Sequence, residues 1–166
     1  MLEILEKGMK NYAGVIQRQI GIDMDSIPGA GAAGGLGAAL TGFLGAVLKP
    51  GIEAVLEFTD FDSLLDGVDL VVTGEGRIDE QSVFGKVPVG VAKRCKDKSI
   101  PVVAVSGIMG KNAGAVYDYG INSIMTTVNR AMPLEEALTR AEELLYDAAD
   151  RMFRFIKTGM DIKTSK

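Results

Sequence analysis

Residues 73–88 (TGEGRIDEQSVFGKVP) bring charged side chains of both signs together with glycines. The two cations, Arg77 and Lys86, could bind carboxylate or phosphate, because a guanidinium offers a bidentate fork and an ammonium a point charge. The acids Glu75 and Asp79 could bind Mg²⁺ or accept a proton from a substrate hydroxyl. A solvated loop with internal ion pairs would have the same composition, so the residue types leave both interpretations open.

A second candidate is the glycine-rich stretch at residues 28–37 (PGAGAAGGLG), which contains G-x-G-x-x-G at Gly29, Gly31 and Gly34. It lacks the preceding strand of a dinucleotide-binding fingerprint and the Gly-Lys-Ser/Thr ending of a Walker A loop. The stretch therefore predicts a turn leading into a helix that begins near Gly34 or Gly35. The free N–H groups and the dipole of such a terminus could bind an anion. Close helix packing through glycine and alanine explains the pattern equally well.

Composition disfavours several classes of function. The net charge of −4 argues against broad nucleic-acid binding. The absence of histidine removes the commonest general base and metal ligand. The single cysteine, Cys95, excludes an internal disulfide and a multi-cysteine zinc site, and it is typical of a reducing compartment. We therefore expect a cytoplasmic protein.

Residues 26–48 carry no charge and are long enough to cross a bilayer. Their bulky residues recur at helical spacing, which predicts one face of a soluble helix that ends at residues 49–51, so we expect no membrane span. The bulky face consists of Leu36, Leu40, Phe43, Leu44, Val47 and Leu48. The opposite face is small, which would let another backbone approach closely, and consists of Ala38, Ala39, Gly42 and Gly45.

Two styles of pattern divide the chain. Residues 1–62 look helical, with a first helix over residues 2–20 that Gly21 ends. From residue 66 onward, strands and helices alternate, which predicts an α/β fold with a parallel sheet. The predicted strands are residues 68–73, 101–106 and 123–128. The predicted helices are residues 88–95, a short one at 113–119, and a long one from Pro133. The expected core face of the last helix is Leu134, Ala137, Leu138, Ala141, Leu145, Ala148 and Phe155.

Ligands of open parallel sheets bind beyond the carboxyl ends of the strands. Residues 73–88, as the loop that follows the first predicted strand, should therefore lie at the binding site. Ser106 and Gly107 end the next predicted strand and should face the same crevice.

The segments PGAGAAGGLGAAL, KPGIEAVLE and DLVVTGEGRIDEQSVFGKVPVGVAKR resemble the C-terminal half of the bacterial, ATP-dependent glycerate kinase family. The likeness covers essentially the whole chain. It implies that residues 62–166 form the C-terminal part of a flavodoxin-like (Rossmann-like) α/β domain. Residues 1–61 would form the helical, glycine-rich end of a second domain. The Asp-Ser-Phe-Lys-Gly type of motif that begins the family chains is absent, so we expect a C-terminal portion.

The resemblance implies transfer of the γ-phosphoryl group of ATP, with Mg²⁺, to a hydroxyl of D-glycerate, giving 2- or 3-phosphoglycerate. We assign Asp79 first, and Glu75 second, as the base or the metal ligand. Arg77 and Lys86 are assigned to phosphate or to the glycerate carboxylate. The residues expected to line the phosphate and substrate cleft are Gly29, Gly31, Gly34, Gly35, Thr73, Gly74, Gly76, Ser82, Ser106 and Gly107.

Two other functions stay open at this point. One is a non-catalytic α/β domain that binds a small anion or a partner protein. The other is an NAD-binding fragment, which the position of the glycine motif disfavours. In the kinase interpretation, we expect a chain of this extent to self-associate or to need a missing N-terminal half.

Overall fold

The structure is a computed structural model that describes residues 1–164. Its contacts divide the chain into two compact units, one of residues 1–50 and one from Gly51 onward. This division lies earlier than the boundary at residue 61 that the resemblance implies. Residues 51–61 go with the second unit because Leu56 lies in its core and Glu53 pairs with Arg94 at 2.6 Å.

The first unit contains two helices, α1 (Leu2–Ile20) and α2 (Ala32–Leu44), and a 3₁₀ turn at Met24–Ser26. The prediction of α1 and of its end is confirmed: Gly21 adopts a left-handed conformation (φ 74°) and donates its N–H to the carbonyl of Gln17. A small core holds the unit together. It consists of Ile16, Met24, Ala30 and Ala38.

Helix α2 begins close to the predicted start near Gly34 or Gly35 but ends earlier than predicted. Ala33, Gly34 and Gly35 all have positive φ (51°, 67° and 93°), so regular helix begins only after them. The predicted end at residues 49–51 is wrong, because Gly45 adopts a left-handed conformation (φ 65°) and stops the helix at Leu44. Glycine reaches that conformation without a steric penalty, so a glycine assigned to the small face acts instead as the cap.

The small face of α2 is the face that this unit buries. A Cβ atom at Gly42 would lie 2.9 Å from Cε of Met24, and one at Gly37 would lie 2.5 Å from the carbonyl oxygen of Gly29. The bulky face is exposed instead, including Phe43. Other parts of the unit therefore approach the small face of α2 closely, as expected. The bulky side chains of α2 itself do not contribute to the core.

The second unit confirms the predicted α/β class. It has a three-stranded parallel sheet of order β1-β2-β3. The strands are β1 (Val71–Ile78), β2 (Val102–Met109) and β3 (Ser123–Thr126). The helices are α3 (Gly51–Phe58), α4 (Phe61–Leu64), α5 (Val87–Asp97), α6 (Leu134–Thr139) and α7 (Ala141–Thr164). Two 3₁₀ segments, Glu80–Val83 and Ala113–Tyr119, complete it. None of the helices in residues 1–164 combines the length and hydropathy that a membrane span requires.

The sequence placed the first strand too early. Residues 68–70 precede β1, and the strand continues through Ile78, so the first part of the predicted loop at residues 73–88 is strand. Its partner, β2, likewise runs beyond Ser106 to Met109, and Arg77 pairs with Ile108. Gly107 makes this extension possible, because a Cβ atom there would lie only 2.7 Å from the carbonyl oxygen of Gly76.

Helices cover both faces of the sheet. Helices α3 and α5 lie against one face, where Leu56, Val89 and Cys95 join residues of the strands in a buried cluster. Helix α7 covers the other face, where Ala148 and Met152 pack on Val103 and Val105. The carboxyl ends of the strands therefore project beyond a core that is closed on both sides.

The expected long last helix is two helices. Arg140 separates α6 from α7, and its guanidinium bonds Glu136 and Glu143 on either side. The expected core face is mostly wrong: Ala148 is buried, but Leu134, Leu138, Leu145 and Phe155 are exposed. Apolar residues lie on several faces of α7, and contact with β2 and β3 selects the stripe of Leu144, Ala148 and Met152.

We expect Gly107→Ala to lower the free energy of unfolding by about 1–3 kcal/mol, because the added methyl would press against backbone that cannot rotate away. Gly76→Ala is the matched control on the neighbouring strand, since a Cβ atom there meets nothing within 4 Å. Urea denaturation of the two variants measures the difference. Equal stability would show that the strands do not approach as closely as the structure has them.

Candidate functional site

The end of β1 positions the charged side chains. Ile78 is fully buried and anchors this end in the core, with the exposed Arg77 before it and the half-buried Asp79 after it. The loop that follows β2 is tied to the same point. The N–H of Gly110 donates to the carbonyl of Ile78 (2.7 Å), and the N–H of Glu80 donates to the carbonyl of Lys111 (3.1 Å). Two loops are thereby held together at the carboxyl edge of the sheet.

Asp79 is the centre of the charged cluster. Its Oδ2 accepts a hydrogen bond from Nε of Arg77 at 2.9 Å, and its Oδ1 lies 3.6 Å from Nζ of Lys86. Oδ1 also accepts the backbone N–H of Gln81 at 3.1 Å. The Asp79 side chain is 14% exposed, against 60% for Arg77 and 35% for Lys86. The carboxylate is thus enclosed, while both cations reach solvent.

Ser82 closes the turn that carries Lys86 toward Asp79. Its buried hydroxyl oxygen accepts the backbone N–H of Asp79 (3.0 Å), while the Asp79 carboxylate caps the 3₁₀ turn that follows. Nζ of Lys86 also lies 3.4 Å from the same hydroxyl oxygen. This reciprocal capping arrangement satisfies backbone donors that would otherwise be unpaired. It also aligns the lysine just ahead of α5.

The charges around Asp79 set its protonation state. Burial raises the pKa of the Asp79 carboxyl, but the Gln81 hydrogen bond, the Arg77 hydrogen bond and the two nearby cations together hold that pKa below its ordinary value. The carboxyl is therefore ionised at neutral pH and is a weak base. Arg77 and Lys86 both reach solvent beside this carboxylate, so an anionic ligand could contact their charges.

The two carboxylates do not form a magnesium site of their own. Both oxygens of Asp79 already face cations, and Oε1 of Glu75 accepts the N–H of Gly76 at 3.3 Å. Across the described part of the chain, no group of three or more potential metal ligands comes together. Asp79 could bind a divalent cation only if its contacts with Arg77 and Lys86 changed, and its role as a metal ligand stays a prediction.

The remaining candidates of the second unit lie along β1 and β2. Pairing aligns Thr73 with Ala104 and Glu75 with Ser106. Ser106 is buried, and its hydroxyl donates to the carbonyl of Ile108 at 2.8 Å, so that hydroxyl is engaged within its own strand. The structure therefore brings together Arg77, Asp79, Ser82 and Lys86 at the carboxyl end of β1. Glu75, Gly76, Ser106 and Gly107 lie earlier on the paired strands, and Thr73 and Gly74 lie in the first half of β1.

The glycine stretch of the first unit supports packing more directly than ligand binding. A Cβ atom at Gly35 would lie 3.0 Å from the ring of Tyr12, whereas one at Gly34 would meet nothing within 4 Å. Gly29, Gly31 and Gly34 are exposed; the first two precede α2, and Gly34 lies in its irregular first turn. Gly35 thus has a packing role in the structure. A ligand role of the exposed three stays a prediction.

Gly110 is a further residue of the site that was not predicted from the sequence. A Cβ atom at this position would lie 2.9 Å from Cβ of Asp79 and 3.0 Å from Nε of Arg77, so only glycine leaves room for the cluster. The sequence does contain a signal for this position, since Gly110 follows the second predicted strand in the segment SGIMGKN. A glycine at such a place often lets another segment approach the backbone closely. The residues that contact Gly110 could not be named from the sequence, because the end of β2 was not known.

Residues 1–157 match the model of the glycerate kinase family. The chain is 47% identical, over 145 residues, to glycerate kinase of Halalkalibacterium halodurans, which covers 87% of this chain and 38% of that protein. It is 39% identical over 160 residues to glycerate 2-kinase of Escherichia coli, covering 96% of this chain and 42% of that protein. A crystal structure assigned as glycerate kinase 2 of Salmonella typhimurium LT2 superposes with a TM-score of 0.71 at 36% identity, over 93% of this chain and 40% of that one.

The chain spans about two fifths of the length of the curated relatives it matches. Within that span the match includes the Asp79 cluster and the sheet that carries it, and it reaches from α1 into α7. The chain belongs to the glycerate kinase family.

Proposed function

We propose that the protein, with the further structure that its longer relatives possess, phosphorylates D-glycerate with ATP as the phosphoryl donor. Family membership supports the reaction, and the observation that carries the site assignment is the Asp79-centred pair of cations. Arg77 and Lys86 project from the carboxyl edge of a parallel sheet, which is where ligands of such sheets bind. Both substrates of the proposed reaction are anions.

Phosphoryl transfer depends mainly on positioning and on stabilising charge that spreads over the transferring group. In this proposal, the Arg77 guanidinium and the Lys86 ammonium bind the phosphate or the glycerate carboxylate. Asp79 is a positioning residue, since its carboxylate fixes both cations and its lowered pKa makes it a poor base. Glu75, on the same strand, is then the better choice to accept the hydroxyl proton of glycerate.

ATP would supply the phosphoryl group, and Mg²⁺ would enter bound to its phosphates, as that ion commonly does. The described residues hold no ready set of magnesium ligands, so this chain's part of the chemistry is anion binding and proton acceptance.

A cytoplasmic location is also proposed, and the buried single cysteine, Cys95, is compatible with it.

A non-catalytic anion-binding domain is the second candidate. It is favoured by the fact that the whole Arg77–Asp79–Lys86 cluster lies within the second unit of this chain. Such a domain would bind sulfate or phosphate without a preference for ATP or glycerate. Thermal-shift titration with Mg-ATP, glycerate and sulfate separates the two functions.

In an enzyme of the relatives' length, Arg77→Ala or Lys86→Ala should each reduce kcat/KM by about thirtyfold or more. This factor corresponds to a loss of roughly 2 kcal/mol of transition-state stabilisation. Arg77→Lys should also be impaired if the guanidinium binds its anion bidentately. Arg154→Ala is the control, because that arginine pairs with Asp150 on the exposed surface of α7. Steady-state kinetics with D-glycerate measure the effect, and normal kcat/KM in both alanine variants would remove these cations from the site.

Asp79→Asn tests the carboxylate itself. Because the folded-state pKa of Asp79 lies below its ordinary value, ionised Asp79 stabilises the fold above about pH 4, and this stabilisation is lost as pH falls through the folded-state pKa. The Tm of wild type should therefore exceed that of Asp79→Asn at neutral pH, and the gap should narrow in acid. A gap that does not change with pH would show that the negative charge is not what stabilises the cluster.

A protein of these 166 residues alone should form dimers or larger oligomers and have negligible glycerate kinase activity. Within the described residues, no strand pairs with the outer edge of β1, and Val72 on that strand is 45% exposed, so association would cover the edge. A coupled ADP-release assay and light scattering test both expectations. Turnover of about one per second or faster from a monomer would contradict them.

A further inference from the structure

A mostly apolar pocket of 390 Å³ lies at the carboxyl ends of β2 and β3. Ile108 and Met109 of β2 form one side, Val128 and Met132 of the connection after β3 form another, and Ala137 of α6 contributes a methyl group. Its volume falls within the range of about 300–1,000 Å³ that is usual for small-molecule sites. The pocket is thus large enough for an organic ring.

Among the residues that the structure describes, no charged side chain lines this pocket. The hydroxyl groups nearby are engaged, since Ser106 donates to the carbonyl of Ile108 and Thr126 to that of Val128. Glycerate carries oxygen on every carbon and has no apolar surface to bury here. A flat aromatic base does have such surface, and the thioethers of Met109 and Met132 are favourable neighbours for an aromatic ring.

The pocket adjoins the cations through consecutive residues of one strand. Ile108 pairs in register with Arg77, and Met109 pairs with Ile78. The next residue, Gly110, is where the side chains of Arg77 and Asp79 lie against the backbone. Neighbouring strands are about 4.8 Å apart, so the apolar pocket and the positive cluster lie side by side at the same edge of the sheet. A nucleotide has the matching arrangement of an apolar base and an anionic tail.

We propose that this pocket binds the purine base of the phosphoryl donor, with the phosphates directed toward Arg77 and Lys86. The proposal rests on the ATP-dependent phosphotransferase function proposed above. It adds to that function a separate binding place for each ligand. The nucleotide base lies over the ends of β2 and β3, and glycerate binds outside this pocket.

Methionine methyl NMR tests the location directly. Of the eight methionines, Met109 and Met132 line the pocket, whereas Met9 and Met24 belong to the first unit. Adenosine and ATP should shift the methyl signals of Met109 and Met132, because the ring current of a bound purine acts over short distances. Inorganic tripolyphosphate, which has no base, should leave these two methyl signals nearly unchanged, and Met9 and Met24 serve as internal references.

Replacing each of two alanines with tryptophan tests how much the pocket contributes to nucleotide affinity. Ala137→Trp should fill the pocket and weaken binding of ATP and adenosine by about tenfold or more, while tripolyphosphate affinity stays within about twofold. Ala141→Trp is the matched control, because Ala141 is exposed at the start of α7 and does not line the pocket. Isothermal titration calorimetry gives the affinities, and circular dichroism shows whether each variant is folded.

Three results would overturn the proposal. They are ATP binding that leaves Met109 and Met132 unshifted, unchanged ATP affinity in folded Ala137→Trp, and no binding of ATP or adenosine up to about 10 mM. If Ala137→Trp does not fold, the wild-type NMR titration decides. Glycerate phosphorylation by a full-length enzyme is a separate readout. A base in the pocket without phosphorylation would refute only the kinase function, and phosphorylation unaffected by Ala137→Trp would refute only the base pocket.

Discussion

The Asp79 carboxylate holds Arg77 and Lys86 together, and the geometry of the site depends on this one group. Without a negative charge between them, the two cations would repel each other and turn separately into solvent. The same carboxylate accepts the Gln81 N–H and caps the turn that leads to Lys86. Fixing charge and backbone together keeps the cluster preorganised, so the proposed anionic ligand would not have to order it.

That cluster exists only because two backbones approach closely beside it. Gly107 lets β2 run against β1 past the point where the sheet would otherwise end, and Gly110 leaves room for the side chains of Arg77 and Asp79. A methyl group at either position would push on backbone or on the charged groups themselves. At both positions, the absence of a side chain is what the close approach requires.

The site combines two environments at one edge of the sheet. Charged groups follow β1, whereas the ends of β2 and β3 present apolar side chains around a pocket. Helices close the core beneath both, so the difference between the environments comes from a few residues at the strand ends. A ligand with one apolar and one anionic part would contact both environments, whereas a small polar acid could use only the charged part.

Local signals in the sequence determined the α/β class, the first helix and its glycine stop, the start of α5 near Pro88, and the stretch that carries the charged residues. The resemblance gave the family. Only the tertiary structure showed that Glu75 and Arg77 lie on a strand, that the Asp79 carboxylate contacts both Arg77 and Lys86, and that Leu144 rather than Leu145 faces the core. Strand length and burial depend on partners far away in the sequence, such as Gly107 for β1 and Val103 for α7. Helix caps and turns depend on residues a few positions away, which is why the sequence alone could predict several of them.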